Sequence, residues 1–190
     1  MNTKSHAELI LIRHAPLAKP GFLVGRTDVP AHIDAPRIAA LHAQLGNMAR
    51  VVSSPARRCQ QTATALFGHF EQDERLWEQD FGTHDGLPFE ELPDIGLLDS
   101  AALARHASPN GESFAELCER TFPALHEYGC DAHERGSMAL VVHAGVIRSA
   151  LAFVSGHVPG GLTFEIENLS VTRLRCGPNG PISITEVNRT

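Results

Sequence analysis

Two short apolar runs constrain this chain more than any other feature, and each is closed by a histidine. Glu8-Leu9-Ile10-Leu11-Ile12 leads into Arg13-His14-Ala15, and Met138-Ala139-Leu140-Val141-Val142 leads into His143-Ala144-Gly145. Aliphatic runs of this length without polar alternation have the character of buried parallel strands, covered on both faces. They predict an α/β sheet with helices above and below it. Both histidines then stand at strand carboxyl ends, where open α/β sheets bind ligands, so one site can be built from the two.

A third stretch, from Val51 to Ala63, reads as a short strand turning directly into a helix. Ser54 is read as the N-cap and Pro55 as the first helical residue, which puts Arg57 or Arg58 in the first turn beside unpaired backbone N–H groups. A first turn favours acids over bases, so an arginine there points to a role with anions. Strand and helix patterns alternate along the rest of the chain. Helices are expected at 34–45, with Ile38, Leu41 and Leu45 on one face, and at 55–67, 113–128 and 145–154. Further extended pieces are expected at 50–52, around Leu76, and at 162–166, 170–175 and 182–187. Residues 82–110, rich in Gly, Pro and short apolar runs, predict an insertion of loops and short helices that would serve as a lid.

At 190 residues and 43% hydrophobic, the chain suits a single domain, 1–190, with one sizeable core. Its net charge of −6 argues against a nucleic-acid or membrane-surface partner, so an anionic small substrate would need a local cationic pocket. Cys59, Cys118, Cys130 and Cys176 form no CxxC pair, which suggests neither a zinc site nor a disulfide framework and fits a reduced, cytoplasmic protein. Residues Met1 to His6 lead into the first strand without a signal-like apolar region, and the apolar stretch from Met138 to Val154 is interrupted by His143, Gly145 and Arg148. No transmembrane segment is expected, and the quaternary state stays open between monomer and homodimer.

Arg13-His14-Ala15, the run from Ser53 to Ala63 and His143-Ala144-Gly145 together resemble the histidine phosphatase superfamily (phosphoglycerate mutase-like). Its marks are an Arg-His-Gly-type opening, an SSPLxRAxQTA-type helix start and a late His-Gly-Gly-type turn. Within it, the segments from Gly25 to Pro30 and from Glu78 to Gly82 look most like the α-ribazole phosphatases of cobalamin synthesis. The resemblance implies a three-layer α/β/α fold on a mostly parallel sheet and a phosphohistidine route with no metal and no cofactor. It also implies His14 as nucleophile, His143 protonated against the phosphoryl oxygens, and Arg13 with Arg58 as phosphate ligands. The arginine stands three residues after the proline, which selects Arg58 over Arg57. Glu78, four residues before Gly82, fits the acid position. The chain departs from the family at Ala15, Ala56 and Ala144, which are conservative changes. Leu17 and Pro20 replace the Ser or Thr and the Asn of mutase-type openings, and the span from Glu78 to His143 is short for a mutase lid, so hydrolysis is the better reading.

The chemistry asks for these residue types. Phosphoryl transfer needs an in-line nucleophile and cations around the equatorial oxygens. Arg13, Arg58 and His143 can supply the cations, and a neutral His14 can attack through one nitrogen while a backbone carbonyl holds the other. The leaving alkoxide needs a proton and the attacking water must lose one. A carboxylic acid serves both steps, for roughly 10²–10⁴-fold. Glu78 is the first candidate, and Asp80 and Asp85 are the other carboxylates nearby.

Competing readings apply to each residue. Either histidine alone suits a structural role, or a metal site made with a carboxylate. Two arginines would duplicate a metal's charge, which disfavours the metallohydrolase. Arg58 alone could be a solvated helix residue and Glu78 an exposed charge. Arg148 reads as an ion-pair partner. Arg26 could reach a substrate or cap its turn, and His84 is either an exposed turn residue or a substrate contact on the lid side. The expected function is a phosphomonoesterase acting on a small phosphorylated metabolite, with α-ribazole 5′-phosphate or adenosylcobalamin 5′-phosphate as the narrow candidates. A broad sugar-phosphate or phosphoserine phosphatase is the alternative. A non-catalytic phospholigand-binding module is the alternative of another class, and the joint presence of His14, Arg58, Glu78 and His143 argues against it.

Overall fold

Each apolar run forms a strand whose successive side chains are buried on opposite faces, which is why neither run shows a polar period. The computed structural model describes residues 7–190, so the reading of Met1 to His6 lies outside the described residues. In chain order the elements are β1 (Glu8–Arg13), α1 (Ala35–Leu45), β2 (Arg50–Ser53), α2 (Arg57–Phe67), β3 (Glu71–Gln72), α3 (Ser100–Arg105), α4 (Phe114–Arg135), β4 (Met138–Val142), α5 (Ala144–Ser155), α6 (Val158–Gly161), β5 (Val171–Gly177) and β6 (Gly180–Arg189). The six strands form one sheet in the order β3-β2-β4-β1-β5-β6. The first four run parallel to one another, while β5 is antiparallel to both of its neighbours.

Leu9 and Leu11 of β1, with Met138, Leu140 and Val142 of β4, pack on α4 and α5. Ile10 and Ile12, with Ala139, pack on Ile38, Leu41 and Leu45 of α1 and Leu66 of α2. Helices on both faces of a mostly parallel sheet make the expected three layers. β1 and β4 are neighbours, yet the chain leaves β1 toward α1 on one face and leaves β4 toward α5 on the other. Two adjacent parallel strands whose connections diverge leave a crevice at their carboxyl ends, the switch point of an open α/β sheet.

Several local expectations are corrected. Ser54 is not an N-cap and α2 begins at Arg57 rather than Pro55. Its first N–H is bound from a distant loop, where Asp28 Oδ1 accepts from Arg57 N at 2.7 Å. The strand near Leu76 lies earlier, at β3, and Leu76 itself is the buried end of a 3-10 turn. Helix α4 runs past Tyr128 to Arg135. Gly129 is no stop signal, because a Cβ there would fall 2.3 Å from Pro181 of β6, so this glycine admits the strand. Residues 162–166 are not a strand. The carbonyls of Phe164 and Ile166 accept from arginine side chains rather than from a neighbouring strand. Residues 82–110 hold two 3-10 turns and α3. Among the described residues, no helix is long and apolar enough to cross a membrane.

Candidate active site

The pairing of β1 with β4 sets Arg13 opposite Val142, so the residues that follow, His14 and His143, emerge side by side. His14 N donates to Val142 O at 2.9 Å, and the two rings meet edge to face with centroids 5.3 Å apart. His14 Nδ1 lies 2.7 Å from Ala15 O. A carbonyl can only accept, so this contact places the proton on Nδ1 and leaves the Nε2 lone pair free. Burial, then Arg58 and Arg13, pull the His14 pKa down to about 3, against the hydrogen bond to Ala15. The ring is therefore neutral at ordinary pH, with the Nε2 lone pair available. Its backbone is held from two sides: Thr62 Oγ1 accepts from Ala15 N at 2.9 Å, and Asn168 Nδ2 donates to His14 O at 2.9 Å.

His143 is fully buried, with Nε2 2.8 Å from Ser54 Oγ and 3.5 Å from Cys59 Sγ. Burial, followed by the charges of Arg58 and other groups, holds its pKa well below the ordinary value. The sequence reading has it protonated when a phosphoryl group is bound. A phosphoryl group beside it would bring the negative charge that favours its proton.

Arg58 is buried, and its guanidinium donates to Gly25 O at 2.7 Å and Thr27 O at 3.1 Å. Arg13 Nη1 donates to Ile166 O, and Arg148 Nε to Phe164 O at 2.8 Å. Among the described residues, none of these three arginines forms an ion pair, and the Nε atoms of Arg13 and Arg58 are buried without a partner. Arg148 is therefore not the ion-pair partner expected. One buried and two half-buried arginines without an ion pair, in a chain of net charge −6, mark a place for an anion.

Glu78 completes the group. It is 8% exposed; Oε2 accepts from Gly145 N at 3.3 Å, at the start of α5, and Oε1 from Gln79 N at 3.0 Å. Arg120 of α4 fixes this segment by donating to Arg75 O at 2.7 Å and to Glu78 O at 3.3 Å. Arg13, His14, Arg58, Glu78, Arg148 and Asn168 line one cavity of about 410 Å³.

The structure separates other candidates from this group. The Arg26 guanidinium lies 5.3 Å over the Trp77 ring and outside the cavity lining, so its loop serves the site through the carbonyls of Gly25 and Thr27. His84 lines a second cavity of about 280 Å³ that shares Leu23 and Phe81 with the first. Asp85 accepts from the N–H groups of Gly25, Arg26 and Thr27 at 3.0, 2.6 and 2.9 Å, which gives its carboxylate a loop-building role. Asp80 accepts from Gly82 N at 2.8 Å. Ser54, Thr62 and Asn168 are site residues that sequence reasoning missed. The first two stood inside the quoted helix-start motif, while Asn168 carried no local signal.

The profile of the histidine phosphatase superfamily (branch 1) matches residues 9–190. Among solved structures, the chain is similar to mycobacterial glucosyl-3-phosphoglycerate phosphatase with VO3, at TM-score 0.83 and 22% identity over 97% of this chain and 100% of that one. It is also similar to phosphoserine phosphatase from Entamoeba histolytica in complex with 3-phosphoglyceric acid, at TM-score 0.81 and 25% identity over 96% and 97% of the two chains. A curated relative, rat 6-phosphofructo-2-kinase/fructose-2,6-bisphosphatase 4, is 34% identical over 109 residues, which is 55% of this chain and 22% of that much longer protein.

Proposed function

This chain belongs to the histidine phosphatase superfamily (branch 1), a family of phosphatases, and we propose that it hydrolyses phosphate monoesters of small metabolites through a phosphohistidine, without a metal. The observation that carries this reading is His14 itself, a neutral ring tied at Nδ1 and set beside arginines that no carboxylate pairs. His14 Nε2 attacks phosphorus, a P–N bond forms, and the P–O bond to the alcohol breaks. The leaving oxygen takes the electron pair and a proton from Glu78. Water then attacks the phosphohistidine, Glu78 takes its proton, and inorganic phosphate departs. Arg13, Arg58 and His143 hold the equatorial oxygens, so the charge a metal would supply is already present. Residues 82–110, which bring Phe89 to the cavity, act as the lid.

The narrower substrates, α-ribazole 5′-phosphate and adenosylcobalamin 5′-phosphate, are supported by the segments 25–30 and 78–82. A phosphoserine or sugar-phosphate substrate fits equally well, since the similar structures are phosphatases of phosphoserine and of glucosyl-3-phosphoglycerate. Rapid quenching of the enzyme with a labelled phosphate monoester tests the mechanism. The expected result is an acid-labile, base-stable label on His14, absent from a folded His14→Ala variant that has no turnover. Label on serine or cysteine, or near-normal activity in the variant, refutes the route. Activity lost to a chelator and restored by zinc or magnesium refutes its independence of metal.

A further inference from the structure

The charged groups of the catalytic cavity all gather at one end. Arg148 and Arg13 stand together because each is held by a carbonyl of the same short segment, Phe164 and Ile166. Arg58 is anchored on the loop at Gly25 and Thr27. Pro20, Phe22, Leu23, Phe81 and Phe89 supply a further, apolar part of the lining, the wall. No side chain there can donate or accept a hydrogen bond.

Part of the backbone behind these side chains is paired as well. Leu23 N donates to Leu87 O at 2.9 Å, Gly86 N to Leu23 O at 2.7 Å, and Phe89 N to Gly21 O at 3.0 Å. These bonds tie Gly21 and Leu23 to residues 86–89, and Pro16 and Pro20 have no N–H to offer. Asn168, the remaining polar residue of the lining, has its amide on His14 O. A hydroxyl or carboxylate placed against these side chains would find no side-chain partner among them. Two of the aromatics are open to solvent, Phe22 at 39% and Phe89 at 57% exposed, and an apolar ligand would cover them. Beyond Leu23 and Phe81 lies the second cavity, whose lining is mixed: Leu92, Ile95, Leu103 and Phe114 stand there with Gln79, His84, His106 and Ser108.

We infer that the alcohol half of the substrate is an uncharged apolar group of ring size or larger, seated on the wall of Phe22, Leu23, Phe81 and Phe89. This rests on the phosphatase reading and narrows it to one class of monoester. The phosphate end takes the whole charge of the ligand, and the wall selects what is attached to it.

The test compares kcat/KM for 3-phenylpropyl phosphate with those for phosphoserine, 3-phosphoglycerate and glycerol phosphate, all esters of alkyl alcohols with similar demands on the acid. The phenylpropyl ester should lead by at least about tenfold, a difference the burial of one ring readily supplies. Leu23→Ser and Phe89→Ser should each shrink that ratio, chiefly by raising KM for the apolar ester. Equal or better turnover of phosphoserine or 3-phosphoglycerate overturns the inference and leaves the phosphohistidine chemistry standing. A preference that persists undiminished in both variants overturns the assignment of the wall. If no ester is hydrolysed and His14 takes no label, the phosphatase reading falls as well.

Discussion

The carboxylate of Glu78 rests directly on Gly145. Its Oε2 accepts the Gly145 N–H at 3.3 Å, and a β-carbon at that position would fall 2.3 Å from Oε1. The turn after His143 therefore needs a residue without a side chain, because the acid occupies the space one would fill. His14 and Glu78 are 64 positions apart in sequence, and this contact at the start of α5 helps bring them to one cavity.

Gly145→Ala should accordingly displace Glu78 while sparing the fold. Alanine gains up to about 1 kcal/mol of helix propensity in α5, which offsets part of the steric cost, so the thermal midpoint should move little. Turnover of an alkyl phosphate should fall by ~10²-fold, within the range a general acid contributes. An unchanged kcat would show that the carboxylate can yield without loss.

Replacement of Glu78 by Gln separates its two roles. The variant should release an alkyl alcohol at least ~10²-fold more slowly, whereas an aryl phosphate, whose leaving oxygen needs no proton, should keep most of its burst rate. The burst of aryl product is the proper measurement, because loss of the base that activates water slows the steady state for both esters. An equal fall in the two burst rates would remove Glu78 as the acid.

Two buried neutral histidines should be visible in the pH dependence of stability. His14 has a pKa of about 3 in the folded chain against 6.5 for a free histidine. The unfolded chain thus binds more protons between these values, and stability is full above pH 6.5 and erodes as pH falls toward 3. His143 acts in the same direction. His14 contributes a slope of up to about 1.4 kcal/mol per pH unit inside its window. Urea titrations between pH 6 and 5, where most carboxylates are still ionised, should show a shallower slope for His14→Ala. Identical slopes would mean that His14 is not buried neutral.

Anion binding should carry a proton with it. His143 is held neutral by burial and by neighbouring cations, and an oxyanion at the arginines would raise its pKa, so affinity should strengthen as pH falls. Tungstate, whose charge is constant over the range, can be titrated calorimetrically in buffers of different ionisation enthalpy. The expected uptake approaches one proton, survives in His14→Ala and disappears in His143→Gln. Uptake that persists in His143→Gln would assign the proton elsewhere.

The two histidine strands were legible because burial on both faces writes itself into sequence as an unbroken apolar run, and Leu9 to Ile12 and Met138 to Val142 are such runs. An arginine at 57 or 58 was legible through a local anomaly, a base in a helix's first turn, and the family resemblance selected Arg58. Residues whose partners lie far along the chain were not legible. Ser54 has the local signature of a cap, yet its hydroxyl meets His143, 89 positions away. The cap itself comes from Asp28, and Asp85 looked like a spare carboxylate until three amides of the 25–27 loop were seen around it. Arg26 and His84 sit in the right loops, but the direction of their side chains is decided by Trp77 and by the second cavity.

The loop at 25–27 is gripped from both sides, its carbonyls by Arg58 and its amides by Asp85. The neighbouring residues that form the apolar wall bear none of these bonds through their side chains. Inheritance can therefore act on the two parts separately. Substitutions at Phe22, Leu23 or Phe89 would redirect the enzyme to a different alcohol while the arginine clamp and the histidine stay in place, so a lineage can change its substrate by small steps and never pass through an ancestor that has lost the reaction.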